Sequence, residues 1–351
     1  MMRLFLILIF SLLTFNAVGQ NDIPQPTRKN SNHDTTYLQT FHHLVNARIF
    51  MARKFTNLTI VENNGPIWDT SRNILSYQPN SAVIIGAGVT FKGLTLNLGY
   101  GFSFLNQEDG KGTTDYLDIQ VKMYGRKQVI EIYKQFYTGM YLESTEPVHS
   151  FVSNQNYIRP DLNISILGGG YTRVFNDARF SYAASFVQSE YQKKSSGSFL
   201  LGGKAIQFAA NADSTIIPTS PKDSLFEAFK GLNEMASFQI GPSVGYAHTF
   251  VFHRNWFLTL SFEMNFMLGS AAFSLENNTE FKNFTFNLSP DIKMAVGYNS
   301  ASIYFGLALV DNRSNLPSND GTIFASFGTG NVRLNFVKRF ELSQLVKKYP
   351  K

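Results

Sequence analysis

Cysteine is absent from the 351 residues. That excludes a disulfide scaffold, a thiolate-held metal or iron–sulfur cluster, a thiol nucleophile and a lipid-modified amino-terminal cysteine. Charge is scarce as well. Asp, Glu, Lys and Arg make up 16% of the chain, where a soluble domain carries about 25%. Beyond the amino-terminal segment no apolar run is long enough for a helical membrane span. What is abundant is aromatic and small: 33 Phe, 16 Tyr and 26 Gly. Together with 44% hydrophobic residues, this excludes a disordered chain, a coiled coil and a helical repeat.

The amino terminus reads as an address. Arg3 precedes an apolar run from Leu4 to Val18, and Ala17-Val18-Gly19 places small residues where a signal peptidase cuts. A signal peptide is expected over 1–19, with cleavage before Gln20. Residues 20–36, with Pro24, Pro26, Arg28 and Lys29, read as a flexible periplasmic lead. Residues 341–351 form a basic tail with Lys347, Lys348 and Lys351.

Between them, over 37–340, the dominant period is two. In 94–104 one face is Leu94, Leu96, Leu98, Tyr100, Phe102 and Phe104, and the other is polar or small. In 256–268 Trp256, Leu258, Leu260, Phe262 and Phe266 alternate with Thr259, Ser261, Glu263 and Asn265. Such alternation marks strands with one oily face. Further spans are read at 44–54, 58–62, 83–91, 116–124, 128–141, 162–174, 179–191, 199–210, 238–252, 284–298, 303–309 and 332–340. They are longer than typical soluble strands, their ends carry aromatics, and short turns alternate with long loops. Lipid offers no partner to free backbone groups, so a strand-built span must close on itself. The fold class is all-β, an antiparallel transmembrane barrel of about twelve strands, with fourteen as the upper count. The crossings do not sum to the right parity. Either 142–160 or 211–235 hides a crossing, or 191–199 is not a turn between separate spans.

Several segments resemble one family. These are Asp34-Thr35-Thr36-Tyr37, Arg159-Pro160-Asp161-Leu162 and, most closely, the run from Gln188 through Lys193-Lys194-Ser195-Ser196-Gly197-Ser198. They are similar to an uncharacterised outer-membrane barrel family of Bacteroidota, known only as a domain of unknown function. The resemblance implies a barrel in the outer membrane of a Gram-negative bacterium and supplies no catalytic residue.

Chemistry-bearing motifs are sparse. No H-E-x-x-H occurs, and His42 and His43 point to opposite faces of any strand, so no metal site and no cofactor are expected. Gly168-Gly169-Gly170 sits within a strand, as a packing or bending device. His248, in an otherwise oily row, is the one candidate general base, but no serine shares its face. Thr259, Ser261, Glu263, Asn265, Lys293 and Arg333 are expected to face the lumen. Gln188 and Glu190 fall where lipid is expected, so with Lys193 and Lys194 they are assigned to lipid headgroups or a partner. Residues 211–235, with helical spacing over 224–235, are a candidate plug.

Two function classes remain. One is a non-enzymatic barrel, either a narrow diffusion channel or an accessory subunit of an envelope assembly. The other is a lipid-modifying hydrolase or acyltransferase. Outer-membrane lipid and other envelope proteins are the expected partners; nucleic acid is not.

Overall fold

A computed structural model describes residues 33–341, apart from 42, 63–72, 82, 92–93, 106–109, 144–156, 219–225, 227–228 and 318–322. The signal peptide, most of the lead and the basic tail beyond Glu341 lie outside the described residues. Within the lead, residues 34–36 are ordered: they form a turn in which Asp34 accepts hydrogen bonds from the Thr36 amide and hydroxyl.

Antiparallel strands make up nearly the whole fold. In chain order they are β1 (Leu38–Thr40), β2 (Leu44–Glu62), β3 (Asn73–Gln78), β4 (Val83–Phe91), β5 (Leu94–Gly101), β6 (Asp115–Tyr124), β7 (Gln128–Glu143), β8 (Tyr157–Val174), β9 (Glu190–Gln192), β10 (Ser196–Asn211), β11 (Leu232–Phe252), β12 (Trp256–Leu275), β13 (Glu280–Asn299), β14 (Ile303–Pro317) and β15 (Ile323–Glu341). Among the described residues a short α-helix, α1 (Tyr182–Phe186), and a 3-10 turn at Ser103–Leu105 interrupt them. Thirteen strands form one sheet, and β1 pairs β9 in a separate ribbon.

The sheet closes through β15 and β2, which pair from Ile323↔Glu62 to Glu341↔Leu44. Ten strands (β2, β3, β7, β8 and β10 to β15) complete a ring, while β4, β5 and β6 lie off it. The reason is a fork. Along its far half β2 pairs β3, and along its near half it pairs β4. Likewise β7 pairs β3 at Tyr141–Glu143 and β6 over Val129–Thr138. The fork coincides with Pro79, which cannot donate to a ladder, and with a register shift in β7 at Gly139, where φ is +86°.

The connections from β6 to β7, β11 to β12 and β13 to β14 lie at one end, together with the insert at residues 175–195, the turn at residues 34–37 and Glu341; this is the turn end. The opposite, loop end carries the connections from β7 to β8 and from β10 to β11, and a tighter turn at residues 276–279. Strands of 15 to 21 residues are common here, whereas crossing a bilayer takes about 9–11. Most of the exposed apolar side chains occupy the half nearer the turns, among them Leu96, Leu98, Phe262, Phe266, Phe305, Phe199, Leu201, Phe336 and Trp256, and on β11 and β13 the row runs on through Phe238, Phe284 and Phe286. An exposed belt of that extent on a closed barrel is a lipid-facing surface, and the fold is a transmembrane β-barrel.

One span read from the sequence is overturned. Residues 179–191 are not a crossing; with their flanks they fold into the barrel mouth as α1 and β9. Ser181 caps α1 by accepting the Ala184 amide, and Gln188 turns the chain with φ of +61°. Removing this crossing repairs the parity, since 191–199 is then no turn between spans. The short β3 went unread because six residues carry too little alternation to register.

Candidate functional site

Side chains of the barrel wall and the insert at residues 175–195 converge in the lumen near the turn end. Arg339 of β15 donates to the carbonyl oxygen of Gln188 at 2.8 Å and to Asn299 Oδ1 at 3.0 Å. Asn299 Nδ2 in turn donates to the carbonyl oxygens of Ala184 and Glu190. Arg48 of β2 donates to Gln188 Oε1 at 2.6 Å and to the Val187 carbonyl at 2.8 Å. The hydroxyl pairs Tyr182–Ser261 and Ser185–Thr259 each close to 2.6 Å, and Tyr304 donates to the Ser185 carbonyl. Glu190 holds Arg126 at 2.6 Å. The insert is therefore a plug, bonded to the wall on several sides.

This corrects the assignment of Gln188 and Glu190 to headgroups or a partner. Both are buried, 0% and 3% exposed, with their polar atoms turned into the lumen. Their period-two pattern resembles a lipid-facing row, but the chain there has left the wall. Lys193 and Lys194 lie under the plug. Lys193 donates to the Thr35 carbonyl, and Lys194 stands 5.5 Å from the Tyr37 ring. Asp34 completes this strap: the Thr36 hydroxyl and amide bonds, with Arg179 at 3.4 Å, hold its carboxyl below the ordinary 3.8.

Above the plug the lumen is filled by ion pairs. Lys293 lies 3.1 Å from Glu131 and 3.8 Å from Glu263, and Lys122 lies 4.0 Å from Glu131. Lys204 pairs Asp291 at 2.8 Å, and Asn265 donates to the same carboxylate at 3.0 Å. Thr172 donates to Glu263, and Lys54 meets Asp118 at 2.8 Å. Four lysines thus face four carboxylates. Strong mutual attraction and added hydrogen bonds are what allow charges to leave water in this way. About 20 Å³ remains open to the centres of water molecules among these groups, room for one or two waters.

The structure therefore brings Thr259, Ser261, Glu263, Asn265 and Lys293 together in the lumen. Arg333 also points inward, its guanidinium 4.5 Å above the Phe50 ring. Reasoning from the sequence missed Glu131, Lys204, Asp291 and Arg48. Each alternates with outward apolar residues, as Lys293 does, so the signal was present. His248 sits apart, on the outer face: Nδ1 lies 3.2 Å from the Tyr246 hydroxyl and the ring lies 4.3 Å from that of Phe250, tilted by 38°. No serine or carboxylate is hydrogen-bonded to it among the described residues. Gly168 admits the Tyr133 ring, which comes within 2.4 Å of where a Cβ would stand, so this glycine serves packing.

The loop end closes differently. Phe208 and Phe327 stack at 4.1 Å in a cluster with Leu58, Ile60, Ile164 and Ile166. Ile216, Ile217, Phe226 and Phe229 pack into the same cluster. Arg159 chelates Asp161 and donates to the carbonyl oxygens of Ser214 and Thr215. Part of the candidate plug at 211–235 thus does cover the lumen, but as an apolar lid. Residues 232–235 belong to β11, and 219–225 and 227–228 lie outside the described residues.

The family described as domain of unknown function (DUF4421) matches residues 32–340. The chain belongs to that family. No curated protein matches the chain. Among solved structures the chain is similar to the outer-membrane protease OmpT of Escherichia coli, at 9% identity, covering 86% of this chain and 98% of that one, with a TM-score of 0.40. It is also similar to the Pseudomonas putida toluene transporter TodX, at 7% identity, 85% and 90% coverage and a TM-score of 0.24. OmpT of Vibrio cholerae shares 12% identity, 82% and 98% coverage and a TM-score of 0.27. What the family adds is extent: it begins just ahead of the strap and ends on β15, so wall, plug and strap all lie within it.

Proposed function

We propose that the protein is a closed, non-conducting barrel of a Gram-negative outer membrane, acting as an accessory subunit of an envelope assembly. The turn end faces the periplasm, as short turns do in such barrels. One observation carries this reading: the lumen is obstructed at three successive levels, by the plug, by the ion-paired centre and by the apolar lid. A diffusion channel needs a continuous wet path, and the space among the ion-paired groups takes one or two waters. The strap and the plug surface at Arg179, Lys193 and Lys194 then present the periplasmic side to envelope partners. Among the described residues no serine or carboxylate is hydrogen-bonded to His248, so lipid chemistry has no support from that side chain.

Purified protein in planar lipid bilayers tests the reading. The intact chain should give no conductance steps, whereas a chain with 176–194 replaced by a short linker should leak more. Stable open steps from the intact chain would contradict it. Affinity capture from native outer membrane should then recover a stoichiometric envelope protein.

A further inference from the structure

On one side of the wall two neighbouring strands do not bond. Among the described residues β5 pairs only β4, and β6 pairs only β7. The fork explains why. Residues 112–114 are wedged into it: the Asn80 amide donates to Thr114 Oγ1 at 2.9 Å, Asn80 Nδ2 to the Gly112 carbonyl at 2.8 Å, and the Thr114 hydroxyl to the Gly139 carbonyl at 2.7 Å. Below that wedge the edges of β5 and β6 face each other unzipped. The outward side chains on both lips are apolar and exposed, Leu96 and Leu98 on one and Ile119 and Val121 on the other. The seam therefore opens at the level of the acyl chains, where free backbone groups are costly.

Behind the seam lie charges without counter-ions. The four lumen lysines are matched by four carboxylates, but Arg48 and Arg333 have none. Arg48 is 4% exposed, reaches Asn97 of β5 at 3.3 Å, and leaves its buried Nε without a partner. Arg333 makes no hydrogen bond or ion pair among the described residues, and its Nε is also buried and unpartnered. Beside Arg333 stands the Phe50 ring, lying against Gly86 of β4 and Gly99 of β5. Arg339 also lacks a carboxylate and, like Arg48, is bonded to the plug with its Nε unpartnered, but only Arg48 of the two also reaches a strand of the seam, at Asn97 of β5. Buried guanidinium groups with unused donors are stabilised by an oxyanion, which accepts several of those donors at once.

We propose that the seam between β5 and β6 is a lateral entrance through which an anionic lipid sets its phosphate head on Arg48 and Arg333. Its acyl chains stay between Leu98 and Ile119, in the bilayer. This adds to the accessory role and does not depend on it, because it is read by lipid retention and not by conductance or capture.

Native mass spectrometry of the full chain in neutral detergent, titrated with dioleoylphosphatidylglycerol, tests the site. One lipid should be retained per chain, dioleoylphosphatidylcholine should not be, and excess inorganic phosphate should not displace it. The double variant Arg48→Gln/Arg333→Gln should bind about tenfold or more weakly, the effect of losing a charge-assisted hydrogen bond. Bridging Leu98→Cys to Ile119→Cys with a bifunctional maleimide leaves both arginines intact and should block uptake, so the proposal stays testable if the arginine variant fails to fold. Equal retention of both lipids, displacement by inorganic phosphate, full binding by a folded double variant, or unhindered uptake by the bridged barrel would each overturn it.

Discussion

The two halves of β10 obey one alternation with opposite polarity. Near the turns its outward residues are Phe199 and Leu201, and Ser196, Ser198 and Lys204 point inward. Toward the loops Ile206, Phe208 and Ala210 point inward, and Gln207 and Asn211 face out. β12 and β8 invert at the same level, whereas β11 and β13 keep Phe238, Phe284 and Phe286 outside and Gln239, Thr285 and Asn287 inside. β12 passes from inward Glu263 and Asn265 to Met267, Ala271 and Phe273, and β8 passes from Thr172 to Ile166, Ile164 and Leu162. The physical cause is the solvent outside. Where lipid surrounds the wall, its outer face is oily and the interior takes the polar groups. Where water surrounds it, the interior must become the hydrophobic core. The same closed sheet is a membrane barrel at one end and resembles a soluble barrel at the other.

Substitutions should separate the two halves sharply. In the membrane half, Lys293→Met leaves Glu131 and Glu263 facing each other in the lumen and should cost about 3–5 kcal/mol, the effect of breaking a buried pair. Adding Glu131→Gln should recover part of that loss; urea unfolding followed by heat-modifiable mobility reads both. In the loop half, Phe208→Ala empties the stack on Phe327 and should cost about 3–4 kcal/mol. Phe199→Ala, on the lipid-facing side of the same strand, should cost well under half as much. If the two phenylalanines proved equivalent, the comparison would fail.

Between the halves the plug sets a third, smaller effect. Arg339→Gln removes charge-assisted bonds to the insert and should destabilise by about 2 kcal/mol, seen as protease cleavage within 175–195 while the wall stays resistant. Smallest is a pH effect at the strap. Thr36 holds the Asp34 carboxyl below its usual value of 3.8. A depressed carboxylate contributes stability above its unfolded pKa and loses it as pH falls through the folded one. Strap protection in hydrogen exchange should therefore be full at neutral pH and weaken only below about pH 4, and Asp34→Asn should remove that dependence.

The wall was legible in the sequence because its signal is long. Strands such as 256–268 repeat an oily row six or seven times, and one misplaced residue does not hide that. The plug was not legible for the opposite reason. Over 179–191 Phe180, Tyr182 and Phe186 share a period-two face with Gln188 and Glu190, and only those last two, with the failed parity, argued against a span. The apolar residues there do face a buried environment, but it is the lumen and not lipid. The candidate site was partly legible: Glu263 and Lys293 stand out on polar faces, and Glu131 and Asp291 alternate with apolar neighbours in the same way without having been singled out. The unzipped seam was beyond reach, because it depends on which strands pair and not on what any strand contains. The same holds for Gly139, whose left-handed backbone and contact with Thr113 follow from the fork.

The claim beneath all of this is that lipid ends part-way along the strands. The absence of cysteine makes it directly measurable, since single cysteines placed at Phe199, Leu201, Gln207 and Asn211 can each carry one spin label. Collision with oxygen should dominate at 199 and 201, and collision with a water-soluble nickel chelate at 207 and 211. Four labels with the same oxygen-to-nickel ratio would contradict the account.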